Sequence, residues 1–228
     1  TYPPGSTYKP FMGLAGLETG KRLPGTTIMD GGSWTFGGHT FRSGHALGAV
    51  DLYRSIVKSS NVYYYMLAND LGVDAIHRFM TQFGFGSRTG VDIDGELPGL
   101  QPSTDWKWQR FKQKWYAGDT ISVGIGQGYW LSTPLQLATA VATLANGGTP
   151  VRPRLVRAVQ DARTQEVRAL PVRTGEPLAF RPEHLELVAG LSLVDEVRRH
   201  LAVEHPLDGQ LDVPLLRRRG DGVATTSL

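Results

Sequence analysis

The segment that decides the fold lies close to the N-terminus and reads Tyr2-Pro3-Pro4-Gly5-Ser6-Thr7-Tyr8-Lys9-Pro10. It contains a Ser-x-x-Lys element, and positions i and i+3 of a helix lie on one face. Ser6 Oγ and Lys9 Nζ can therefore converge. Because a lysine held away from water is a usable base for a hydroxyl, the segment predicts a nucleophile together with its activating base.

The residues around Ser6 also predict its local structure. Proline is tolerated in the first turn of a helix, so Pro10 permits a helix from Thr7 to about Glu18, with Gly20 as its stop. Ser6 then lies at a helix N-terminus, where backbone N–H groups and the helix dipole favour negative charge. This position suits a hydroxyl that loses its proton and an oxyanion that forms beside it.

A second polar element, Ser59-Ser60-Asn61, begins 53 residues after Ser6. Asp51 is a predicted N-cap for a helix over 52–57 that ends at this element, and a second helix is predicted from Val62 to about Asp70. Each element also has a purely structural interpretation. Ser and Asn favour helix C-terminal turns, and Ser-x-x-Lys recurs as an N-cap followed by a solvated lysine. The two elements together, at this spacing, favour function.

Further along the chain, proline and glycine punctuate the stretch from Gly90 to Trp106, which predicts a loop. Pro134 opens an apolar helical repeat, so a buried helix is predicted from Pro134 to Asn146, and an extended segment is predicted from Pro150 to Val159.

Composition limits the possible functions. The chain has 228 residues, of which 40% are apolar, so it can bury one sizeable core. Its net charge of +3 comes from 24 basic and 21 acidic residues spread along the chain, which argues against a nucleic-acid partner. The absence of cysteine excludes disulfides and thiolate zinc sites. The sequence contains no run of about 18 apolar residues, so no membrane span is predicted in it.

From Tyr2 to about Leu185 the sequence resembles the transpeptidase domain of class B penicillin-binding proteins, within them the penicillin-binding protein 2 group that serves cell elongation. Ser-x-x-Lys, a Ser-x-Asn element and Lys-Thr-Gly form the signature of penicillin-binding proteins and serine β-lactamases. The matching stretches are residues 2–10, Lys58-Ser59-Ser60-Asn61, Phe83-Gly84-Phe85-Gly86, Thr89-Gly90-Val91-Asp92 and residues 115–129, which continue into Thr133-Pro134-Leu135-Gln136-Leu137-Ala138.

The resemblance implies an α+β fold of the penicillin-binding protein and serine β-lactamase type. We expect it to be incomplete, mostly its helical part with a reduced sheet, because the chain opens almost on Ser6. A membrane helix, a pedestal domain and the first strands of the sheet precede this point in the family. We expect residues 1–188 to form a partial transpeptidase domain, and residues 189–228 to be a divergent tail, either frameshifted or disordered.

The resemblance also implies an activity, which is peptidoglycan D,D-transpeptidation through a serine acyl-enzyme. In it Ser6 is the nucleophile, Lys9 the base, Ser59 a proton relay and Asn61 a ligand of the substrate carbonyl. The expected partners are stem peptides ending in D-Ala-D-Ala, β-lactams and, in the full-length protein, a glycan polymerase. No cofactor is expected, and the expected location is the periplasmic face of the bacterial inner membrane.

Three alternatives remain open at this stage. The same nucleophile serves D,D-carboxypeptidases and serine β-lactamases, which need a positioned water. A non-catalytic penicillin-binding sensor keeps the fold and acylates without turnover. The third alternative is an inactive fragment. The aromatic and Gly-rich residues 124–129 argue against the hydrolases.

A zinc site is a further expectation to weigh, because some members of the resembled group bind zinc through two Asp, a His and a Cys between the first two motifs. Asp30 and His45 occupy matching positions. Ser60 stands where the cysteine is expected, and residues 31–44 offer no second Asp, only His39. A set without a thiolate is more often no site, so we expect no metal.

The third motif of the family, Lys-Thr-Gly on an inner strand, is missing. No lysine follows Lys114 in the sequence. Two Arg-Thr-Gly tripeptides, at 88–90 and 173–175, contain a guanidinium that can hold a carboxylate, but both stand at the wrong places in the chain. Residues 124–128, Gly-Ile-Gly-Gln-Gly, lack phosphate-loop spacing and are predicted to bring backbone close to the site.

Overall fold

The described part of the chain, residues 1–192 of this computed structural model, is an α+β fold in which helices predominate. The helices are a 3-10 helix at Gly5–Tyr8, α1 Lys9–Glu18, α2 Leu52–Val57, α3 Asn61–Leu71, α4 Val73–Thr81, α5 Thr104–Phe111, α6 Ala117–Val123, α7 Pro134–Ala145 and α8 over 182–192. The strands are β1 Ile28–Asp30, β2 Ser33–Phe36, β3 His39–Arg42, β4 Gly48–Val50, β5 Ala158–Gln160 and β6 Val167–Ala169. The predicted fold class is confirmed; most of the predicted divergent tail lies outside the described residues.

Helix α1 is the centre of the core, since a helix that is apolar all round must be buried. Its residues from Phe11 to Leu17 are all buried. Two glycines let neighbouring helices come close: a Cβ on Gly13 would meet Leu52 of α2, and one on Gly16 would meet Leu67 of α3. This packing fixes the first residue of α1, Lys9, relative to the start of α3.

The strands form three separate antiparallel pairs. β1 pairs with β4 with Ile28 opposite Val50, β2 pairs with β3, and β5 pairs with β6. The β2–β3 turn is Gly37-Gly38 with φ of 56° and 78°, and a two-residue loop of this kind requires two left-handed residues. The sheets are small, as predicted for the helical part of the domain.

The sequence predicted the cap of α2 but not that of α3. Asp51 caps α2 as predicted, since its Oδ1 accepts a hydrogen bond of 2.8 Å from Arg54 N. α3 begins at Asn61, one residue before the predicted start, and Ser60 is its N-cap, accepting from Tyr63 N. Ser60 and Asn61 therefore belong to the beginning of α3 and not to a C-terminal turn of α2.

Elements between residues 90 and 129 differ from the prediction. The predicted loop from Gly90 to Trp106 ends earlier, because α5 begins at Thr104 behind an N-cap by Ser103. α6 lies within residues 115–129, where no helix was predicted. At its start Asp119 accepts a hydrogen bond from Tyr116 N, which is one half of a capping box.

The C-terminal end of the described chain closes the core. α7 runs from Pro134 as predicted, and Thr133 and Gln136 form its capping box. The residues after it, predicted as extended, include β5 and its hairpin partner β6. α8 then buries Leu185 and Val188 against the core, and His184 Nδ1 lies 2.8 Å from Glu18 Oε1 at the end of α1.

Candidate active site

Ser6 lies on the 3-10 helix directly before α1, and its side chain is exposed. Gly5 has a φ of 58°, a left-handed value that glycine adopts without strain, and its N–H donates to Gly126 O at 2.9 Å. Residues 124–128 therefore bring backbone up to the candidate nucleophile, as predicted. Ser6 N–H stands in the first turn, where helical N–H groups have no intrahelical acceptor.

Lys9 is buried, with only 1% of its surface exposed, yet its ammonium makes three hydrogen bonds. Nζ donates to Ser59 O at 2.6 Å, to Ser59 Oγ at 2.8 Å and to Asn61 Oδ1 at 2.7 Å. These three acceptors use all the protons of a charged lysine. The helix α1 and the start of α3 thus meet through one side chain.

Ser59 joins Lys9 to Ser6. Its Oγ accepts from Lys9 Nζ and donates to Ser6 Oγ at 2.9 Å. Its φ of 54° is left-handed, which is strained for a residue other than glycine and is found preferentially at functional sites. The predicted approach of Ser6 to Lys9 is therefore indirect here, with a hydroxyl between the two groups.

The environment of Lys9 shifts its acid–base equilibrium into the neutral range. Burial disfavours the charged form and lowers the pKa of Lys9 to about 7, while the negative charge of Asp30 opposes this and raises the pKa. The Tyr64 ring lies 5.5 Å from Nζ. A lysine with this pKa is present as a free amine in a substantial fraction at pH 7, which is what a general base requires.

The structure brings together the four residues predicted as catalytic: Ser6, Lys9, Ser59 and Asn61. They come from the 3-10 helix, the start of α1, the turn between α2 and α3, and the first residue of α3. The result is a continuous chain of hydrogen bonds from an exposed hydroxyl to a buried amine. Such a chain can remove a proton from the hydroxyl and return it later.

The weak zinc candidates do not form a metal site. Asp30 is buried, and its Oδ1 accepts from Gly32 N while Oδ2 accepts from Ser60 Oγ. His45 is exposed. Within residues 1–192 no three His, Asp or Glu side chains are grouped to hold an ion. Ser60 supplies a hydroxyl that donates its proton to Asp30, so this donor set does not fit zinc.

The two Arg-Thr-Gly tripeptides meet on another part of the surface. Both line one cavity of about 730 Å³ together with Arg152, and Arg152 N donates to Arg173 O at 2.9 Å. Glu96 holds the first tripeptide by accepting from Thr89 N at 2.7 Å. None of the four candidate catalytic residues lines this cavity, so the described residues do not place either arginine as a substitute for the third motif.

One largely buried ion pair between α5 and α6 was not foreseen. Lys107 of α5 is 2% exposed, and its Nζ donates to the carboxylate of Asp119 on α6. The ring of Tyr116 lies 4.7 Å from Nζ and that of Tyr129 lies 5.4 Å away. The Lys/Asp pair, 12 positions apart among aromatic residues, was visible in the sequence, but its burial depends on how α5 and α6 pack.

Comparisons with known proteins show the family of the chain. The family model of the penicillin-binding protein transpeptidase domain matches residues 1–200, and the chain belongs to this family. "Peptidoglycan D,D-transpeptidase MrdA" of Acinetobacter baumannii is 45% identical over 176 residues, which are 75% of this chain and 26% of that relative. The relative of the same name from Escherichia coli K12 is 40% identical over 161 residues, covering 68% of this chain and 25% of the relative.

Solved structures give the same answer for the fold. Pseudomonas aeruginosa PBP2 in complex with WCK 5153 is 38% identical with a TM-score of 0.75, over 83% of this chain and 42% of that one. Helicobacter pylori PBP2 in complex with MreC is 30% identical with a TM-score of 0.74. The match covers 85% of this chain and 35% of the Helicobacter chain. A third match is to a chain of a peptidoglycan synthase complex that coordinates polymerization and crosslinking. It is 32% identical with a TM-score of 0.74, and the match covers 88% of this chain and 34% of that one.

The predicted family resemblance is thereby confirmed. The chain spans about a quarter of the length of the curated relatives it matches. In residues 1–192, none of the helices has both the length and the apolar character needed to cross a bilayer.

Proposed function

We propose that this chain is the acylating part of a peptidoglycan D,D-transpeptidase of the penicillin-binding protein 2 type. The observation that carries the proposal is the hydrogen-bonded series from Ser6 Oγ through Ser59 Oγ to Lys9 Nζ, which ends on a lysine whose pKa lies at about 7. An exposed hydroxyl linked to a buried base is the arrangement that nucleophilic catalysis requires.

In the first half-reaction, neutral Lys9 draws a proton from Ser59, which takes the proton of Ser6. A neutral amine has only two protons, so one of its three hydrogen bonds must reverse, and the Ser59 hydroxyl is the only one of its three acceptors that can donate. Ser6 Oγ then attacks the carbonyl of the penultimate D-Ala. The oxyanion that forms is stabilised by backbone N–H groups, that of Ser6 among them.

Collapse of the tetrahedral intermediate breaks the peptide bond to the terminal D-Ala. The departing amine takes the proton that Lys9 received, again through Ser59, so that Lys9 becomes neutral and Ser6 is left as an ester. In the second half-reaction an amine of a neighbouring stem peptide attacks this ester. Its proton moves to Lys9 and then to Ser6 Oγ as the cross-link forms and the serine is released.

Asn61 orients the substrate in this scheme. Its Oδ1 is occupied by Lys9, so its amide nitrogen is the group that donates to the substrate's peptide carbonyl. A β-lactam imitates the D-Ala-D-Ala end, acylates Ser6 and stays attached. The scheme uses no cofactor, because every proton passes between the three side chains and the two substrate amines.

Partners and location follow from the relatives and are proposals for the full-length protein. A homologous PBP2 was solved with MreC, and another homologue within a complex that couples polymerization to crosslinking. We propose a glycan polymerase as the partner and the periplasmic face of the inner membrane as the location. Within the chain, we propose residues 1–188 as the transpeptidase part and residues 189–228 as a divergent tail.

The test is the intact mass of the purified chain before and after exposure to benzylpenicillin. The unaltered chain should gain the mass of one penicillin, and Ser6→Ala should gain none. Thr7→Ala is the matched control, because Thr7 is an exposed neighbouring hydroxyl that only donates to Pro4 O. A folded, unaltered chain without an adduct would overturn the proposal for this chain.

Incubation with a D-Ala-D-Ala peptide and an acceptor amine separates transpeptidation from the alternatives. A cross-linked product supports the proposal. A shortened peptide alone indicates a carboxypeptidase, and rapid loss of the penicillin adduct indicates a β-lactamase. A lasting adduct with no peptide product indicates a penicillin-binding sensor.

A further inference from the structure

Asp30 is a buried carboxylate to which the proposed reaction assigns no step. It ends β1 and is 0% exposed. A buried carboxylate needs partners to offset its desolvation, and Asp30 has two. Gly32 N donates to Oδ1 at 2.8 Å and Ser60 Oγ donates to Oδ2 at 2.6 Å. Its backbone O also accepts from Leu47 N at 3.0 Å.

Ser60 links this carboxylate to the candidate catalytic turn. It lies between Ser59 and Asn61, it is 1% exposed, and its hydroxyl donates to Asp30, whereas Ser59 and Asn61 both accept from Lys9. Ser60 Oγ also accepts from Tyr63 N at 3.1 Å, so the same atom caps α3. One hydroxyl therefore fixes both the start of α3 and the distance from that start to β1.

The turn needs such a support because it is strained. Ser59 has a φ of 54°, and residues other than glycine hold this conformation only when the surrounding structure imposes it. On one side the turn is held by Ser60 N, which donates to Ser55 O at 3.0 Å. On the other side the side-chain hydrogen bond from Ser60 to Asp30 is the anchor, and it joins residues 30 positions apart.

We propose that Asp30 is a positioning residue of the acylation reaction: its carboxylate clamps Ser60 and so holds Ser59 and Asn61 against Lys9. The proposal rests on the proposed function, since it concerns the rate at which Ser6 is acylated. Asp30 touches neither the substrate nor the reacting atoms. It acts through Ser60 and, by its charge, on Lys9.

The charge of Asp30 gives the proposal a signature that a purely structural residue lacks. Its negative charge raises the pKa of Lys9 and partly offsets the lowering caused by burial. The other groups that face Lys9 are Ser59, Asn61 and the ring of Tyr64, all of them uncharged. Removal of the Asp30 charge should therefore lower the pKa of Lys9 further and move the acid limb of the pH–acylation profile to lower pH.

The experiment compares benzylpenicillin acylation of Asp30→Asn, Ser60→Ala and Ser60→Thr across pH 5 to 9. Asp30→Asn should acylate about tenfold more slowly at high pH, where Lys9 is neutral, with its acid limb at lower pH. Ser60→Ala should slow acylation about tenfold, and Ser60→Thr, which keeps the hydroxyl, should restore most of the rate. Thr143→Val is the control, because Thr143 is equally buried but its hydroxyl donates to Thr139 O within α7.

The inference is overturned if Asp30→Asn and Ser60→Ala acylate like the unaltered chain, or if Thr143→Val slows acylation as much as they do. If Asp30→Asn does not fold, the Ser60→Ala and Ser60→Thr pair decides. A chain that is not acylated at all contradicts the proposed function and not this inference. In that case an NMR titration of the lysine side chains decides: Lys9 should titrate at lower pH in Asp30→Asn, and an unchanged midpoint overturns the inference.

Discussion

Ser59 lies between the nucleophile and the base: its Oγ is 2.9 Å from Ser6 Oγ and accepts a hydrogen bond of 2.8 Å from Lys9 Nζ. The left-handed backbone of Ser59 makes this possible, because its carbonyl and its hydroxyl both face the same ammonium. The proton of Ser6 therefore has a path to Lys9 that does not pass through water.

Replacement of Ser59 should break this path. Ser59→Ala should lower the rate of acylation by benzylpenicillin by about 10² to 10⁴, the range that general acid–base groups contribute. Ser6 itself remains, so the adduct should still form after long exposure, unlike in Ser6→Ala. The rate is measured by stopped-flow or by mass spectrometry over time. An unchanged rate would show that Lys9 reaches Ser6 directly.

Acylation should follow the protonation state of Lys9. Burial lowers the pKa of Lys9 to about 7, and only the neutral amine accepts a proton. The rate should rise with pH through this value and then level off. At pH 6 it should be roughly a tenth of the plateau, since one pH unit below the pKa about one lysine in ten is neutral. A rate that is constant between pH 5.5 and 8.5 would exclude Lys9 as the base.

The same residue should make folding stability depend on pH. Lys9 has a pKa of about 7 when folded and an ordinary value of 10.5 when unfolded, so the unfolded chain binds more protons between these values. The free energy of unfolding therefore rises with pH in this window, by up to about 1.4 kcal/mol per unit, and the contribution is constant below pH 7. Lys9→Met should remove this slope. Urea denaturation at pH 7, 8 and 9 measures it, and Lys21→Met, at an exposed lysine, is the control.

The ion pair between Lys107 and Asp119 should contribute to stability. Asp119→Asn leaves Lys107 charged among aromatic rings and weakens the cap of α6, so the free energy of unfolding should fall by about 2 kcal/mol. Asp105→Asn is a suitable control, since Asp105 lies on the same helix as Lys107 but is exposed. Thermal unfolding compares the two variants. Equal midpoints would mean that the pair contributes nothing.

Local signals in the sequence predicted much of the fold. Proline at the start of α1 and α7, and Asp51 before α2, marked helix starts because capping depends only on neighbouring residues. α6 was missed because its capping residue is Tyr116, which is not a usual N-cap, and because glycines surround it. The start of α5 was missed because Ser103 follows a Pro- and Gly-rich loop that hides the change of pattern.

The site was predicted in its residues but not in its connections. The spacing in Ser-x-x-Lys suggested direct contact of Ser6 with Lys9. In the structure the Lys9 ammonium instead donates hydrogen bonds to Ser59 and Asn61. This depends on the backbone angle of Ser59 and on how α1 packs against α3, which no local pattern encodes. Asp30 drew notice only as a metal candidate, because its bond to Ser60 joins segments far apart in the chain.

Substitution of Gly126 tests whether the backbone contact between Gly126 and Gly5 positions Ser6. It has a φ of 70°, and a Cβ at this position would overlap the backbone of Gly5, next to the nucleophile. Gly126→Ala should therefore displace the 3-10 helix and lower the acylation rate about 100-fold, as a misplacement of about 1 Å does. It should also destabilise the fold by more than the roughly 1 kcal/mol that a left-handed alanine costs.

Gly147→Ala separates the clash from the backbone strain. Gly147 has a similar φ of 62°, but a Cβ there meets nothing within 4 Å. This variant should lose only the roughly 1 kcal/mol of strain and acylate at the unaltered rate. If both variants lose acylation equally, the loss reflects general destabilisation. If only Gly126→Ala loses it, the contact of Gly5 with Gly126 positions Ser6, because the two substitutions differ in nothing else that reaches the site.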